Sequence, residues 1–418
     1  MNSKAPRGTK DLFGKEILYW HRVEKVIREV CNSYSVKEIR TPIFEHTELF
    51  IKSTGESSDV VKKEMYTFED KGGRSLTLKP EGTPGTVRAF IENSMGSEAK
   101  PTKLYYMSPF FRYEKPQAGR FRQFHQFGIE LFGSYSPLMD AEVIAVANSV
   151  INTLGIKNVT LTINSLGCVD CRKKYNDTLK SFISENINSL CAMCNDRFET
   201  NPLRVLDCKN DNCQSVLETA PHILDCLSED CQEDFLFLQK ILTKMNIPFV
   251  VNPKLVRGLD YYTKTVFEFV CDDLGAQSTI CGGGRYDTLI KDNGGEATGA
   301  CGFGMGIERL IIVMENQKLF GEIKPTVDIY IGSMGEAGTL ECISIVQELR
   351  SRGYVAEGDT VGRSVKAQLK YADKINAKFS LIIGDNELET KKVIIKNMET
   401  GEKSETDIDK IEHFLSTR

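Results

Sequence analysis

Histidine and tryptophan are scarce in this chain of 418 residues, which has five of the first and one of the second. None of His21, His46, His125, His222 and His413 stands in a nucleophile signature with Ser or Cys, which argues against a hydrolytic triad. His125 is left as the one candidate for acid–base work. No apolar run approaches the roughly 18 residues of a membrane span, so no membrane partner is expected. The opening Met1-Asn2-Ser3-Lys4-Ala5-Pro6-Arg7 lacks the apolar core of a signal peptide, and a cytoplasmic enzyme is expected. A Walker lysine loop is missing, and Gly302-Phe303-Gly304-Met305-Gly306 does not follow the G-x-G-x-x-G spacing of a dinucleotide fold. Internal repeats and low-complexity tracts are absent too. Positive charge is not in excess, with 53 Lys and Arg against 58 Asp and Glu. That does not exclude nucleic acid, because a local basic strip can meet phosphates on an acidic protein.

What is present is cysteine. Of thirteen cysteines, eight lie between Cys168 and Cys231. In a chain without a secretion signal such a set points to metal or reduced thiols rather than disulfides. Cys168-x-x-Cys171 and Cys191-x-x-Cys194 have tetrathiolate spacing, and a structural zinc is expected there. Cys208, Cys213, Cys226 and Cys231 would form a second set. Reduced, partly buried thiols are the alternative.

The length implies two or three domains, and 41% hydrophobic with 27% charged residues is ordinary globular composition. Gly14 to Tyr34 reads as a helix from Ile17, Trp20, Val23, Ile27 and Val30. Val36 to Phe50 reads as a strand interrupted by Pro42, and Leu76 to Pro84 as a strand running into a turn. Leu104 to Tyr113 and Arg120 to Phe132 read as antiparallel strands joined by a polar loop at Glu114 to Gly119. Ser136-Pro137 opens a helix, as N-cap and first-turn proline. Residues 168–250 change to a helical, cysteine-rich stretch inside strand-rich sequence. Leu255 to Phe269, Cys281 to Asp287 and Gly302 to Arg309 return to strand and glycine signals. A linker with Gly321 and Pro325 precedes a compact α/β pattern. The expected divisions are 1–167 and 251–322 as one core, 168–250 as an insertion, and 326–418 as an independent domain.

Arg112 with Arg120, Arg257 and Arg309 come from three distant segments, and guanidinium forks suit phosphate oxygens. A single arginine is ordinarily a solvated charge. Arg257 reads as sitting in a buried strand, where it needs an anionic partner. Gln126 and Glu130 share one strand face near these arginines. Pro80-Glu81-Gly82-Thr83 puts a carboxylate and a hydroxyl on a turn, suited to an ammonium group or to a plain helix cap.

Taken in order, these segments resemble the class II aminoacyl-tRNA synthetases, specifically the histidyl-tRNA synthetase family. Residues 36–50 are similar to the dimer-forming first motif, Phe111 to Gln126 to the second, and Gly302 to Leu310 to the third. The segments TLKPEGT, LVRGLDYYT and GGGRYD resemble the histidine-specific signatures. The cysteine set from Cys168 to Cys231 departs from many relatives.

The resemblance implies an α/β fold. Its parts are an α+β catalytic domain on a mainly antiparallel sheet, a helical insertion and a C-terminal anticodon-binding-type domain. It implies a homodimer that joins ATP with Mg2+ to L-histidine and passes the histidyl group to histidine tRNA. By the same resemblance Arg112 and Arg257 clamp the α-phosphate, Arg309 stacks on adenine opposite Phe124, and Arg120 holds the distal phosphates, with Glu114 beside ATP. Glu81, Gly82, Thr83 and Gln126 take the amino-group end of histidine. Glu130 and Tyr262 read the imidazole, Tyr261 shapes the pocket, and Gln117 faces the tRNA end. Two other readings stand beside it: a non-charging regulatory paralogue of histidine biosynthesis, and a zinc-ribbon nucleic-acid module.

Overall fold

The computed structural model describes residues 4–56, 58–117, 119–206, 208, 210–321 and 327–418. Pro325 of the linker lies outside them. The chain forms two compact units, 1–321 and 322–418.

The strands of the first unit are β1 (Lys37–Glu38), β2 (Phe44–His46), β3 (Tyr66–Glu69), β4 (Ser75–Leu78), β5 (Thr102–Phe111), β6 (Gln123–Phe132), β7 (Val159–Ser165), β8 (Val250–Val251), β9 (Thr263–Cys271), β10 (Thr279–Arg285) and β11 (Ala300–Gly306). Eight of them form one sheet in the order β1-β5-β6-β11-β10-β9-β7-β8. It is antiparallel from β5 to β7, with parallel pairs only at its two edges. A small sheet, β2-β4-β3, stands beside it.

Helix α1 (Lys15–Ser33) buries Trp20, Val23, Ile27 and Val30, the three- and four-residue steps of one apolar face. The strand expected over 36–50 is instead β1, β2 and a helix, α2 (Thr47–Thr54). There Thr47, Phe50, Ser53 and Thr54 are buried at helical spacing, so tertiary packing overrides the β-branched composition. Helix α3 (Thr83–Glu92) begins inside the expected turn, with Pro84 in its first turn. Ser136 caps α4 (Pro137–Thr153), its hydroxyl accepting from Leu138 N–H at 3.3 Å.

The stretch from Cys168 holds α5 (Val169–Glu185), α6 (Ala192–Thr200), α7 (Asp211–Leu217) and α8 (Glu229–Lys244). It shares a core with the sheet. Tyr175, Leu179, Ile183, Leu203 and Leu217 pack in one apolar cluster with Val87, Phe90, Leu104, Phe132 and Val266. The insertion therefore lies against the sheet face that also carries Gln126 and Glu130. A short helix, α9 (Leu289–Asp292), precedes β11, and α10 (Ile307–Asn316) follows it.

In the second unit, β12 (Val327–Ser333), β13 (Ala356–Gly358) and β14 (Ala377–Ile383) are parallel, while β15 (Lys392–Asn397) and β16 (Lys403–Asp407) are antiparallel. Helices α11 (Gly335–Ser351), α12 (Val365–Lys374), α13 (Asp385–Thr390) and α14 (Ile411–Ser416) complete this unit. Ile329, Ile331, Leu381 and Ile383 fill its core with Ile345 and Leu349.

Candidate active site

Register across the sheet builds the floor. Tyr106 of β5 stands opposite Gly128 of β6, Gly128 opposite Gly304 of β11, Gly304 opposite Gly282 of β10, and Gly282 opposite Glu268 of β9. Three neighbouring strands thus place glycine on one row, and the row is a trough. A Cβ at Gly128 would overlap the Tyr106 ring, and one at Gly282 the Arg257 guanidinium. At Gly304 it would stand 3.4 Å from Gln126 Nε2. One row further, a Cβ at Gly302 would overlap the Glu130 carboxylate. The glycines make room for long polar side chains lying flat on the sheet.

The cavity above this floor has a volume of about 390 Å3, and five arginines and five carboxylates line it. Arg112 donates from Nε to Pro80 O at 2.9 Å, and its guanidinium lies 5.6 Å from the Phe124 ring centre. Arg257 pairs with Glu268 and faces the Tyr262 ring at 5.8 Å. Burial is the largest single influence and disfavours its charge, but Glu268 together with Tyr262, Tyr261 and Cys281 outweighs it and holds the group above the ordinary arginine value. Arg120 pairs with Glu114. Arg309, in the first turn of α10, donates to Gly119 O at 3.3 Å and to Thr279 O. Burial and the neighbouring Arg120 pull it below the ordinary value, the signature of cations gathered where an anion would relieve them.

The opposite wall is buried carboxylate and hydroxyl. Glu81 accepts from Thr54 Oγ1 at 2.8 Å and from the Tyr261 hydroxyl at 2.9 Å, and burial raises its pKa. Glu130 has no exposed surface. It accepts from Thr83 Oγ1 at 2.8 Å, from the Tyr106 hydroxyl at 3.3 Å and from the Tyr286 hydroxyl. Desolvation outweighs these donors and pushes its pKa up to about 8.

A chain with this cavity can be set beside known proteins. The histidyl-tRNA synthetase family model matches residues 8–310, and an anticodon binding domain model matches residues 328–418. The chain belongs to the histidyl-tRNA synthetase family. A relative from Caldanaerobacter subterraneus subsp. tengcongensis described as histidine–tRNA ligase is 52% identical over 415 residues, covering 99% of this chain and 100% of its own. The crystal structure of apo S. aureus histidyl-tRNA synthetase aligns over 99% of both chains, with a TM-score of 0.85 and 38% identity. A Bacillus halodurans structure described as an ATP phosphoribosyltransferase regulatory subunit/histidyl-tRNA synthetase shares the fold alone, at 20% identity. It covers 92% of this chain and 98% of its own, with a TM-score of 0.66.

Within this family member, Glu81, Gly82, Thr83, Arg112, Glu114, Arg120, Phe124, Gln126, Arg257, Tyr261, Tyr262 and Arg309 all line one cavity. Glu130 is set one layer lower, beneath Thr83 and Tyr106. Gln117 is on the exposed loop, bonded to Arg120 through the backbone. Two expectations are corrected. Arg257 is not on a strand but on the irregular segment before β9, half-buried, and its anionic partner is Glu268. His125 is on the other strand face, where its Nδ1 meets Glu308 at 3.0 Å and its ring meets Trp20 edge-on, 4.8 Å away.

The cysteines also pair differently from their spacing. Cys191 and Cys194 cluster with Cys208 and Cys213, while Cys168 and Cys171 cluster with Cys231. The two C-x-x-C pairs therefore belong to separate groups, because each opens a different helix, α5 or α6. Tyr106, Asp59, Glu64, Arg204 and Glu308 line the cavity without having been singled out, and Glu268 and Tyr286 support it. Tyr286 and Glu308 stood in recognised segments, GGGRYD and GFGMGIERL. The others carry no local signal, since a lone carboxylate or tyrosine in sequence has no partner to betray it.

Proposed function

We propose that this cavity activates L-histidine with ATP and passes the histidyl group to the 3′ end of a histidine tRNA. The observation that carries this is the meeting of Arg112, Arg257 and Arg309, from distant segments, opposite a wall of Glu81, Gln126 and Tyr262. A carboxylate oxygen of histidine attacks the α-phosphorus, the bond from that phosphorus to the bridging oxygen breaks, and pyrophosphate leaves. A terminal ribose hydroxyl of the tRNA then attacks the carbonyl carbon and AMP departs.

In the first step charge builds on the α-phosphate oxygens. Arg112 and Arg257, already oriented by Pro80 O and Glu268, meet that charge without reorganising. Arg120 takes the distal phosphates. Arg309 and Phe124 hold the adenine between a guanidinium and a ring. Glu114 and Glu308, oxygen donors on the cavity wall, suit an Mg2+ ion beside phosphate oxygens. Such an ion would supply charge neutralisation.

Glu81, Thr83 and Gln126 receive the ammonium group, with Gly82 leaving the Tyr106 ring its place. Glu130 and Tyr262 pair the imidazole nitrogens, and Tyr261 closes the wall. Because Glu130 is now held by three hydroxyls, it reaches the ring when Tyr106 or Thr83 gives way.

We infer a homodimer through the small sheet, where Phe44 and Phe68 are 51% and 43% exposed and meet edge-on at 6.4 Å. No helix among the described residues is long and apolar enough to cross a membrane, and cytoplasmic location follows from the family's role. The regulatory paralogue remains a reading of the fold; the full set of arginines and the C-terminal unit favour charging.

Histidine-dependent exchange of pyrophosphate into ATP tests this directly, and its absence from folded protein would sink the proposal. A chain ending at Gly321 should keep that exchange. Its aminoacylation should fall by about a hundredfold, the equivalent of about 2.7 kcal/mol of lost tRNA binding. Parallel loss of both activities would assign the C-terminal unit to the catalytic fold instead.

A further inference from the structure

The cysteine-rich stretch contains a site that amino-acid activation does not use. Cys191 is the N-cap of α6 and Cys194 lies in its first turn, while Cys208 and Cys213 arrive from the loop before α7 and from α7 itself. Their four sulfurs lie within 4.8 Å of one another, three of the residues buried and Cys191 half-buried. Cys191 and Cys208 Sγ are 3.8 Å apart. Four sulfurs each about 2.3 Å from one tetrahedral ion stand about 3.8 Å from each other. A disulfide would need about 2.05 Å, and all four thiols are free. A backbone amide is aimed at the cluster as well, Cys191 N–H donating to Cys213 Sγ at 3.2 Å. Such a bond stabilises a thiolate more than a thiol. The neighbouring group of Cys168, Cys171 and Cys231 has three thiols rather than four, and no ion is assigned to it.

Between Cys194 and Cys208 the chain makes the short turn Pro202–Val205. Its Arg204 lines the phosphate-binding cavity and pairs with Asp59 at 2.8 Å. The turn is tied from behind: Arg197 of α6 donates to Arg204 O at 3.0 Å, and Gln214 of α7 to Cys208 O. The residue just before it, Asn201, donates to Asp260 at 2.8 Å. The hydrogen bonds from Arg197 and Gln214 run back to the elements that contribute the thiols, while Leu203 and Val205 of the turn pack in the apolar cluster with Tyr175 and Leu179 of α5.

We propose that Cys191, Cys194, Cys208 and Cys213 bind one zinc ion as a tetrathiolate, and that this centre holds the turn that presents Arg204 to the nucleotide. Binding displaces four thiol protons to solvent and leaves a doubly negative, closed centre with no open position for chemistry. Its role is mechanical: it cross-links the two ends of a short segment, and Arg204 is the residue it positions. The part concerning Arg204 rests on reading the cavity as an ATP site; the zinc site does not.

The test therefore has two arms on the full-length chain. Metal analysis after dialysis should find zinc bound, and cobalt substituted for it should give the d–d and thiolate charge-transfer bands of tetrahedral sulfur ligation. Cys208→Ser should lose those bands, whereas Cys168→Ser should keep them. Zinc-free wild-type protein, or cobalt bands that vanish with Cys168→Ser and survive Cys208→Ser, would overturn the site. In pyrophosphate exchange, Arg204→Ala and Cys208→Ser should each raise KM for ATP several-fold with kcat less affected, and the double variant should be no worse than the poorer single one. Fully multiplicative effects, or no KM effect of Cys208→Ser, would overturn the positioning role while leaving the cobalt result to stand. If Cys208→Ser does not fold, removing zinc from the wild-type chain with a chelator and restoring it must move KM for ATP reversibly.

Discussion

The two walls of the cavity solve opposite electrostatic problems. On the side proposed for the phosphates, arginines stand half-buried, and each is held by a carboxylate or a carbonyl oxygen. On the side proposed for the amino acid, Glu81 and Glu130 are buried among hydroxyls, and burial raises the pKa of both. On the proposed function, the first wall is a set of oriented cations that meets a polyanion whose charge grows in the transition state. The second is a preformed hydrogen-bond network in which any group left without a partner is costly. One wall should govern rate, and the other should govern which amino acid is taken.

The largest break should come from Arg257→Ala. Removing a donor aimed at developing charge costs about 10²–10³ in kcat, or roughly 2.7–4 kcal/mol. Pre-steady-state adenylate formation at saturating histidine should show the loss while histidine binding holds. If binding fell instead, Arg257 would belong to the other wall.

Glu130→Gln should do the reverse. It keeps the shape but puts an amide among Thr83, Tyr106 and Tyr286, and a buried polar group left without its partner there costs roughly 1–3 kcal/mol. Equilibrium titration should show weaker histidine binding, with adenylate formation near normal at saturation. Slowed chemistry with intact binding would contradict the division of labour.

The same residue predicts a pH dependence. Its folded pKa, about 8, lies above the ordinary 4.5, so the folded chain binds this proton more tightly than the unfolded one. The resulting stability is complete below about 4.5 and is lost as pH rises through about 8. Thermal unfolding without ligand should give a melting temperature that falls between about pH 4.5 and pH 8 and levels off above. In Glu130→Gln that fall should be shallower. Identical slopes would mean Glu130 is ionised throughout.

Glu268→Gln should be the mildest change. The side chains of the pair with Arg257 are only 18% and 20% exposed, but the Gln amide keeps a hydrogen bond to the guanidinium, so the change costs about 1 kcal/mol. Adenylation should slow only a few-fold in a stopped-flow measurement, because Arg257 keeps its place over Gly282. A loss as large as that of Arg257→Ala would make Glu268 essential to the arginine's orientation.

From the residues alone, the local periodicities and the family were already legible. The α1 face, the β5–β6 hairpin with Gln126 and Glu130 on one side, the Ser136-Pro137 cap and the C-terminal α/β pattern each depend on neighbours a few residues away, and spacing records them. What spacing does not record is which distant groups meet. The glycines of 282, 302 and 304 have a stretched-out sequence meaning, turn or tight junction, until three strands align them into a trough under Arg257, Glu130 and Gln126. Likewise, the strand expected over 36–50 gives way at Thr47 to a helix, because burial decides between the two. The two C-x-x-C pairs looked like one site by spacing, yet each opens its own helix and recruits partners from further along the chain. Pairing of charges and thiols over long separations is a property of the packed sheet and helices, since only close approach in space makes a carboxylate the partner of an arginine or brings a fourth sulfur within reach of three.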